Sequence, residues 1–162
     1  MGMPNAYRVA DEMIKDRMKD QGMFDEFKKL EESDIIVIKG QYDHIENVFR
    51  NTGVDFGISS DYGFNGIRLN PDQIIFVNCP GRIGERGLMN IKSFVESGGF
   101  LFTTDWALRN IIEKAFPGFI EYNNRPTGDE VVRVELVQND DKFLNSIMGP
   151  SEEPLWWLEG SS

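Results

Sequence analysis

Two apolar runs, IIFV at 74–77 and FLF at 100–102, bracket a segment whose apolar residues, Leu88, Ile91, Phe94 and Val95, recur at helical spacing. The pattern predicts strand, helix, strand, with Ser97, Gly98 and Gly99 ending the helix and one glycine in the left-handed cap position. Strands joined through a helix lie parallel, and runs without polar interruption are buried on both faces. The run DIIVIKG at 34–40 predicts another such strand, and Ile45, Val48 and Phe49 place a helix over 42–51. A second strand is predicted at 54–59, followed by the Gly-, Asn- and Asp-rich loop SSDYGFNGIRLNP. A helix is predicted over 107–116, stopped by Pro117-Gly118; the alternating EVVRVELV at 130–137 reads as an exposed or edge strand, and 140–148 as a short helix. Near the amino end, Asn5 can cap a helix carrying Val9, Met13, Ile14 and Met18 on one stripe; Gly22 breaks it, and Phe24, Phe27 and Leu30 make a second stripe.

This order predicts an α/β fold: a three-layer α/β/α doubly wound, mainly parallel sheet at 33–162, preceded by an N-terminal helical arm at 1–32. The arm either packs on the domain's flank or docks a partner. Trp156 and Trp157 either complete the core, or the chain stops before a last strand.

Composition narrows the partners. The 162 residues, 40% hydrophobic and 12% aromatic, suffice for one self-supporting core. A net charge of -10 argues against nucleic acid and against an anionic membrane surface. One cysteine allows no internal disulfide, and no signal peptide, myristoylation pattern or membrane-length apolar run is read, so the expected location is cytoplasmic.

Chemistry concentrates just past the strand ends, where open α/β sheets bind ligands: Asn78 and Cys79 after one strand, Thr103, Thr104 and Asp105 after the next. The first strand and its helix, then QIIFVNCPGR, then IKSFVESGGFLFTTDWAL, resemble the class I glutamine amidotransferase-like superfamily, in particular its ThuA-like and other non-amidotransferase branches, over roughly 34–118. The resemblance implies a flavodoxin-like three-layer fold with a nucleophilic cysteine on the sharp turn after the Gly-Gly strand. Here that turn reads Thr103-Thr104-Asp105-Trp106-Ala107, with Asp105 (or Thr104, one register away) at the elbow and a small Ala107 behind it. The late histidine that the resemblance implies is also missing; the only histidine, His44, follows the first strand.

The expectation is therefore a non-catalytic amidotransferase-like domain that binds a small polar ligand or a protein partner, with a homodimer left open. Asn78, Gly81, Arg82, Thr103, Thr104 and Trp106 are the candidate ligand-binding residues. The alternative is a hydrolase using Asp105, Cys79 and His44, in which Arg82 lowers the Cys79 pKa and His44 reaches the thiol. Against these roles stand a buried, inert Cys79 and an Asp105 that only caps a helix. The turns at 40–43 and 80–84 could present N–H groups to an anion, but neither fits a dinucleotide or P-loop pattern, so a flavodoxin-like carrier is a third reading and no cofactor is expected. Asp43 and Glu46 beside His44 lack metal-ligand spacing, and no metal is expected.

Overall fold

The computed structural model describes residues 3–20, 22, 29–135, 154–158 and 160. They fall into two compact units, Met1–Tyr122 and Asn123–Ser162. Phe24 and Phe27, the end of the predicted strand at 136–137, and the predicted helix at 140–148 lie outside the described residues.

The first unit runs α1 (Met3–Asp20), β1 (Ile35–Ile38), α2 (Ile45–Thr52), β2 (Gly57–Ser59), a 3-10 turn (Gly63–Gly66), β3 (Ile74–Val77), α3 (Glu85–Glu96) and β4 (Phe100–Thr103), then a π-helical turn (Leu108–Ile112) that continues into α4 (Glu113–Ala115). All four strands are parallel, in the order β2-β1-β3-β4. The α/β fold with a parallel sheet flanked by helices is as the periodicity predicts.

Register sorts the side chains by face. Ile35, Ile74 and Phe100 align, as do Val37, Phe76 and Phe102. On that face Ile35, Val37 and Val54 pack with Ile45 and Phe49. Aromatic rings continue across it: Phe56 to Phe49 at 5.7 Å, Phe49 to Phe76 at 4.9 Å and Phe76 to Phe102 at 5.3 Å. On the other face Ile36, Ile38, Ile75 and Val77 pack against Ile91 and Phe94 of α3 and against Ala107 and Ile111. Val37, Ile38 and Ile75 are fully buried, each worth about 1.5–3 kcal/mol relative to exposure.

Several elements depart from the sequence expectation. The helix starts at Ile45, not at 42, because the N–H groups of Gln41 and Tyr42 donate to the Cys79 carbonyl, at 2.8 and 3.3 Å. The Gly-rich loop is anchored by a fully buried Phe64 in the same cluster as α3. The helix predicted at 107–116 forms, but mostly as a π-helical turn. In α1, which packs on α2, Asp11, Lys15 and Met18 are half-buried, while Val9 and Met13 are exposed.

The strand predicted from 130 does not join the parallel sheet. In the second unit β5 (Glu130–Arg133) pairs antiparallel with β6 (Leu155–Leu158). Trp156 and Trp157, opposite Val132 and Val131, are 50% and 67% exposed, so the pair does not complete a core. Among the described residues no helix is long and apolar enough to cross a membrane.

Candidate functional site

From β1 the chain moves outward to β2, and from β3 it moves the other way to β4, so the strand order reverses between β1 and β3. Such a switch point opens a crevice at the carboxyl ends of the strands. Three segments converge there: 40–46 after β1, 78–84 after β3 and 104–107 after β4.

Gly40 lets the first two meet. A Cβ on it would overlap the Cys79 carbonyl and the Asn78 Cβ. Gly81, at φ +63°, lets the loop after β3 close on the segment after β4, since a Cβ there would lie 2.9 Å from Ala107 Cβ and 3.0 Å from Ile111 Cδ1. The small Ala107 is therefore matched to Gly81. Asn110 Nδ2 donates to the Pro80 carbonyl at 2.6 Å and ties the same two segments. The Cys79–Pro80 peptide is cis.

Asp105 sits on the turn after β4 with φ +43°, a left-handed backbone that residues with a side chain seldom adopt, and it is exposed. Sites of this kind collect at functional turns, where a side chain must be aimed rather than packed. Its carboxylate Oδ2 accepts the Cys79 S–H at 3.2 Å. The Asp105 carboxylate thus meets the Cys79 thiol, where a helix cap would accept from a backbone N–H of the turn that follows.

Beneath it, Cys79 is fully buried. Its N–H faces Thr104 Oγ1 at 3.1 Å and Asp43 Oδ2 at 3.4 Å. The thiol pKa is pushed up to about 11. Burial is the largest cause; the Trp106 N–H pulls the other way, and Asp105, as acceptor and as charge, and Asp43 add to the rise. The expected lowering by Arg82 does not occur. Arg82 is exposed, and its charge acts on Asp61, whose carboxyl is pushed up by burial while a backbone N–H and Arg82 oppose the rise.

His44 is joined to a different partner. Its Nδ1 lies 3.3 Å from Glu46 Oε1, and Glu46 Oε2 accepts from Asn78 Nδ2 at 2.8 Å. Asn78, fully buried, uses its Oδ1 to accept the Ile45 N–H at 3.2 Å. Of the sequence-predicted trio, the structure brings Cys79 and Asp105 together and links His44 to Asn78 through Glu46.

The remaining candidates divide. Thr104 Oγ1 faces the Cys79 N–H, and Thr103 ends β4, half-buried. Trp106 is half-buried against Tyr122, with ring centroids 5.2 Å apart, and the Arg109 guanidinium lies 6.0 Å from the Trp106 ring and 5.5 Å from the Tyr122 ring. Tyr122 and Arg109 were not among the sequence candidates. The sequence raises Asp43 and Glu46 only as metal ligands beside His44 that lack the spacing; no local signal separates a buried, bonded Glu46 from a solvated one. Among the described residues no group of three His, Cys, Asp or Glu is placed to hold a metal ion. A shallow depression lined by Glu32, Arg50, Val54, Asp55 and Phe56 lies at the opposite edge of the sheet and contains none of the predicted site residues.

Compared with known protein families, with curated proteins and with solved structures, the chain matches none.

Proposed function

We propose that residues 33–122 form a three-layer, doubly wound amidotransferase-like domain, with α1 as an added arm, that binds a small polar ligand at the carboxyl edge of its sheet and does not hydrolyse glutamine. The single observation that carries this reading is the Asp105–Cys79 pair. The elbow presents an exposed carboxylate, and the cysteine below it is a buried, neutral donor with its pKa at about 11. A thiol in that state supplies almost no thiolate at neutral pH, and nucleophilic attack requires the thiolate. An exposed carboxylate held from beneath by an S–H donor is suited to accept hydrogen bonds from a hydroxyl- or amine-bearing ligand.

The test is a saturation-transfer NMR screen of small polyols, amines and amino acids against the intact chain, with an ammonia-release assay on glutamine. Binders are expected whose affinity falls about tenfold or more in Asp105→Asn, a loss near 1.4 kcal/mol, and ammonia release is expected to stay at background. Glutamine turnover abolished by Cys79→Ala would end this reading.

A second reading, a hydrolase acting on a small polar substrate, is favoured by one observation: Asp105 is a non-glycine residue held at positive φ on an exposed turn. In it Asp105 would act as general base or nucleophile, with Cys79 holding its carboxylate in place. Turnover of simple esters or amides that survives Cys79→Ala but not Asp105→Asn would select this reading over the binding role.

A further inference from the structure

We propose that His44, Glu46 and Asn78 form a proton-responsive latch that holds the 40–46 segment against the end of β3. The starting point is Glu46, a carboxylate in the first turn of α2 that is only 5% exposed. A buried carboxylate must find donors or pay a large desolvation penalty. Among the described residues neither lysine nor arginine pairs with it; Asn78 Nδ2 donates to it at 2.8 Å, and the His44 Nδ1 lies 3.3 Å away. Asn78 is fixed, being fully buried and bonded at both ends of its amide. The adjustable partner is His44, whose side chain is 47% exposed and so open to water.

The strength of the ring's contact depends on its charge. A neutral imidazole either donates an ordinary hydrogen bond through Nδ1 or turns a lone pair toward the carboxylate, which repels it. A protonated ring always donates, and that bond is charge-assisted and roughly twice as strong. Histidine is the side chain that changes charge between about pH 5 and 8. The latch is accordingly tighter with the ring protonated and looser with it neutral.

Its effect reaches the elbow because the segment's other ties across the sheet lead to the end of β3, where Cys79 meets Asp105. The Ile45 N–H goes to Asn78 Oδ1, the Gln41 and Tyr42 N–H groups go to the Cys79 carbonyl, and Asp43 faces the Cys79 N–H. Loosening Glu46 therefore loosens the placement of Asp43 beside the Cys79–Asp105 pair. The charged and ionisable groups on the elements that meet at the latch are Tyr42 and Asp43 on the segment, Arg50 one turn along α2, Cys79 after β3 and Asp105 after β4, with the half-buried Asp11–Lys15 pair on α1, which packs on α2. The latch rests on contacts within the free protein and stands whether or not Asp105 meets a ligand.

The experiment is a series of 15N–1H spectra and amide hydrogen-exchange measurements on the intact chain between pH 5.5 and 8.0. Because His44 is the only histidine, its ring resonances report one titration. The amides of Asp43, Ile45, Asn78 and Cys79 are expected to shift with the midpoint of that ring. The protection of Ile45 and Cys79, corrected for intrinsic exchange, should be roughly three- to tenfold greater at pH 5.5 than at pH 8.0. His44→Gln keeps a neutral donor and leaves Asp43 and Asp105 in place, so it should abolish the pH response at these amides without unfolding the chain. Glu46→Gln should do the same. If Glu46→Gln does not fold, the half-exposed His44→Gln carries the test alone. A ring that titrates while Ile45 and Cys79 stay still, or a pH response that persists in His44→Gln, would overturn the latch.

Discussion

Gly40→Val is expected to lower the urea midpoint of the chain by roughly 1–2 M, the equivalent of about 3 kcal/mol or more. The cause is local and severe. A Cβ at Gly40 would overlap the Cys79 carbonyl and the Asn78 Cβ, so the clash is with backbone and with the root of a buried side chain rather than with a flexible tip. Relief requires the end of β1 to part from the end of β3. That movement breaks the Gln41 and Tyr42 bonds to the Cys79 carbonyl and pulls Ile45 from Asn78. The main sheet and the site thus fail together. Gly66→Ala is the control: nothing lies within 4 Å of the added carbon and the backbone is not left-handed there, so its midpoint should move by no more than a surface substitution does, about 0.5 kcal/mol. Both are read from urea titrations followed by far-UV circular dichroism. A Gly40→Val midpoint close to the Gly66→Ala value would show that the close approach does not exist.

Gly40 also marks the limit of what the sequence discloses. The buried strands were legible because each is a short unbroken apolar run, and α3 was legible because Leu88, Ile91, Phe94 and Val95 recur at helical spacing. These signals are local. Whether Gly40 ends a strand or permits a contact 38 positions away depends on the strand order, which no local window contains. The same holds for β5. An alternating EVVR fits an edge strand, but its pattern does not say which edge, and it pairs with β6 rather than with the parallel sheet. Phe64 shows the converse: a Gly- and Asn-rich stretch reads as a surface loop, yet one aromatic in it is fully buried.

For the candidate site, the sequence shows where polar residues gather better than it shows their chemical state. The polar residues after β3 and β4 do meet at the carboxyl edge, and Asp105 does occupy the sharp turn. The buried, inert Cys79 is the state that the structure describes, and the alternative of a thiol activated by Arg82 weights proximity along the sequence over proximity in space. Arg82 is three residues away along the chain, but burial is the largest cause of the raised thiol pKa, and the charged groups that add to it, Asp105 and Asp43, lie 26 and 36 residues away. In a parallel sheet the ends of adjacent strands are each other's electrostatic environment, and residues further along the same loop can point elsewhere.

That environment makes Cys79 a sharp test of the functional reading. With its thiol at about 11, the thiolate fraction at pH 7.5 is on the order of 10³ times smaller than for a cysteine titrating near neutrality, and iodoacetamide should label it correspondingly slowly even before burial limits access. The labelling rate should climb with pH toward 11 rather than level off near 7. Stability supplies an independent check. The folded pKa is raised from 9.0, so the native state holds the proton more tightly than the unfolded chain. The stabilisation from the neutral, buried thiol is therefore fully present below pH 9 and is lost as the pH rises through 11, an amount on the order of 2 kcal/mol. Lysines and tyrosines titrate in the same range, so the quantity to measure is the difference between wild type and Cys79→Ala. The two stability curves should run parallel up to about pH 9 and then converge, because alanine has no proton to lose. Rapid labelling at neutral pH with a midpoint near 7 would instead reveal an activated nucleophile, and the chain would have to be read as an enzyme.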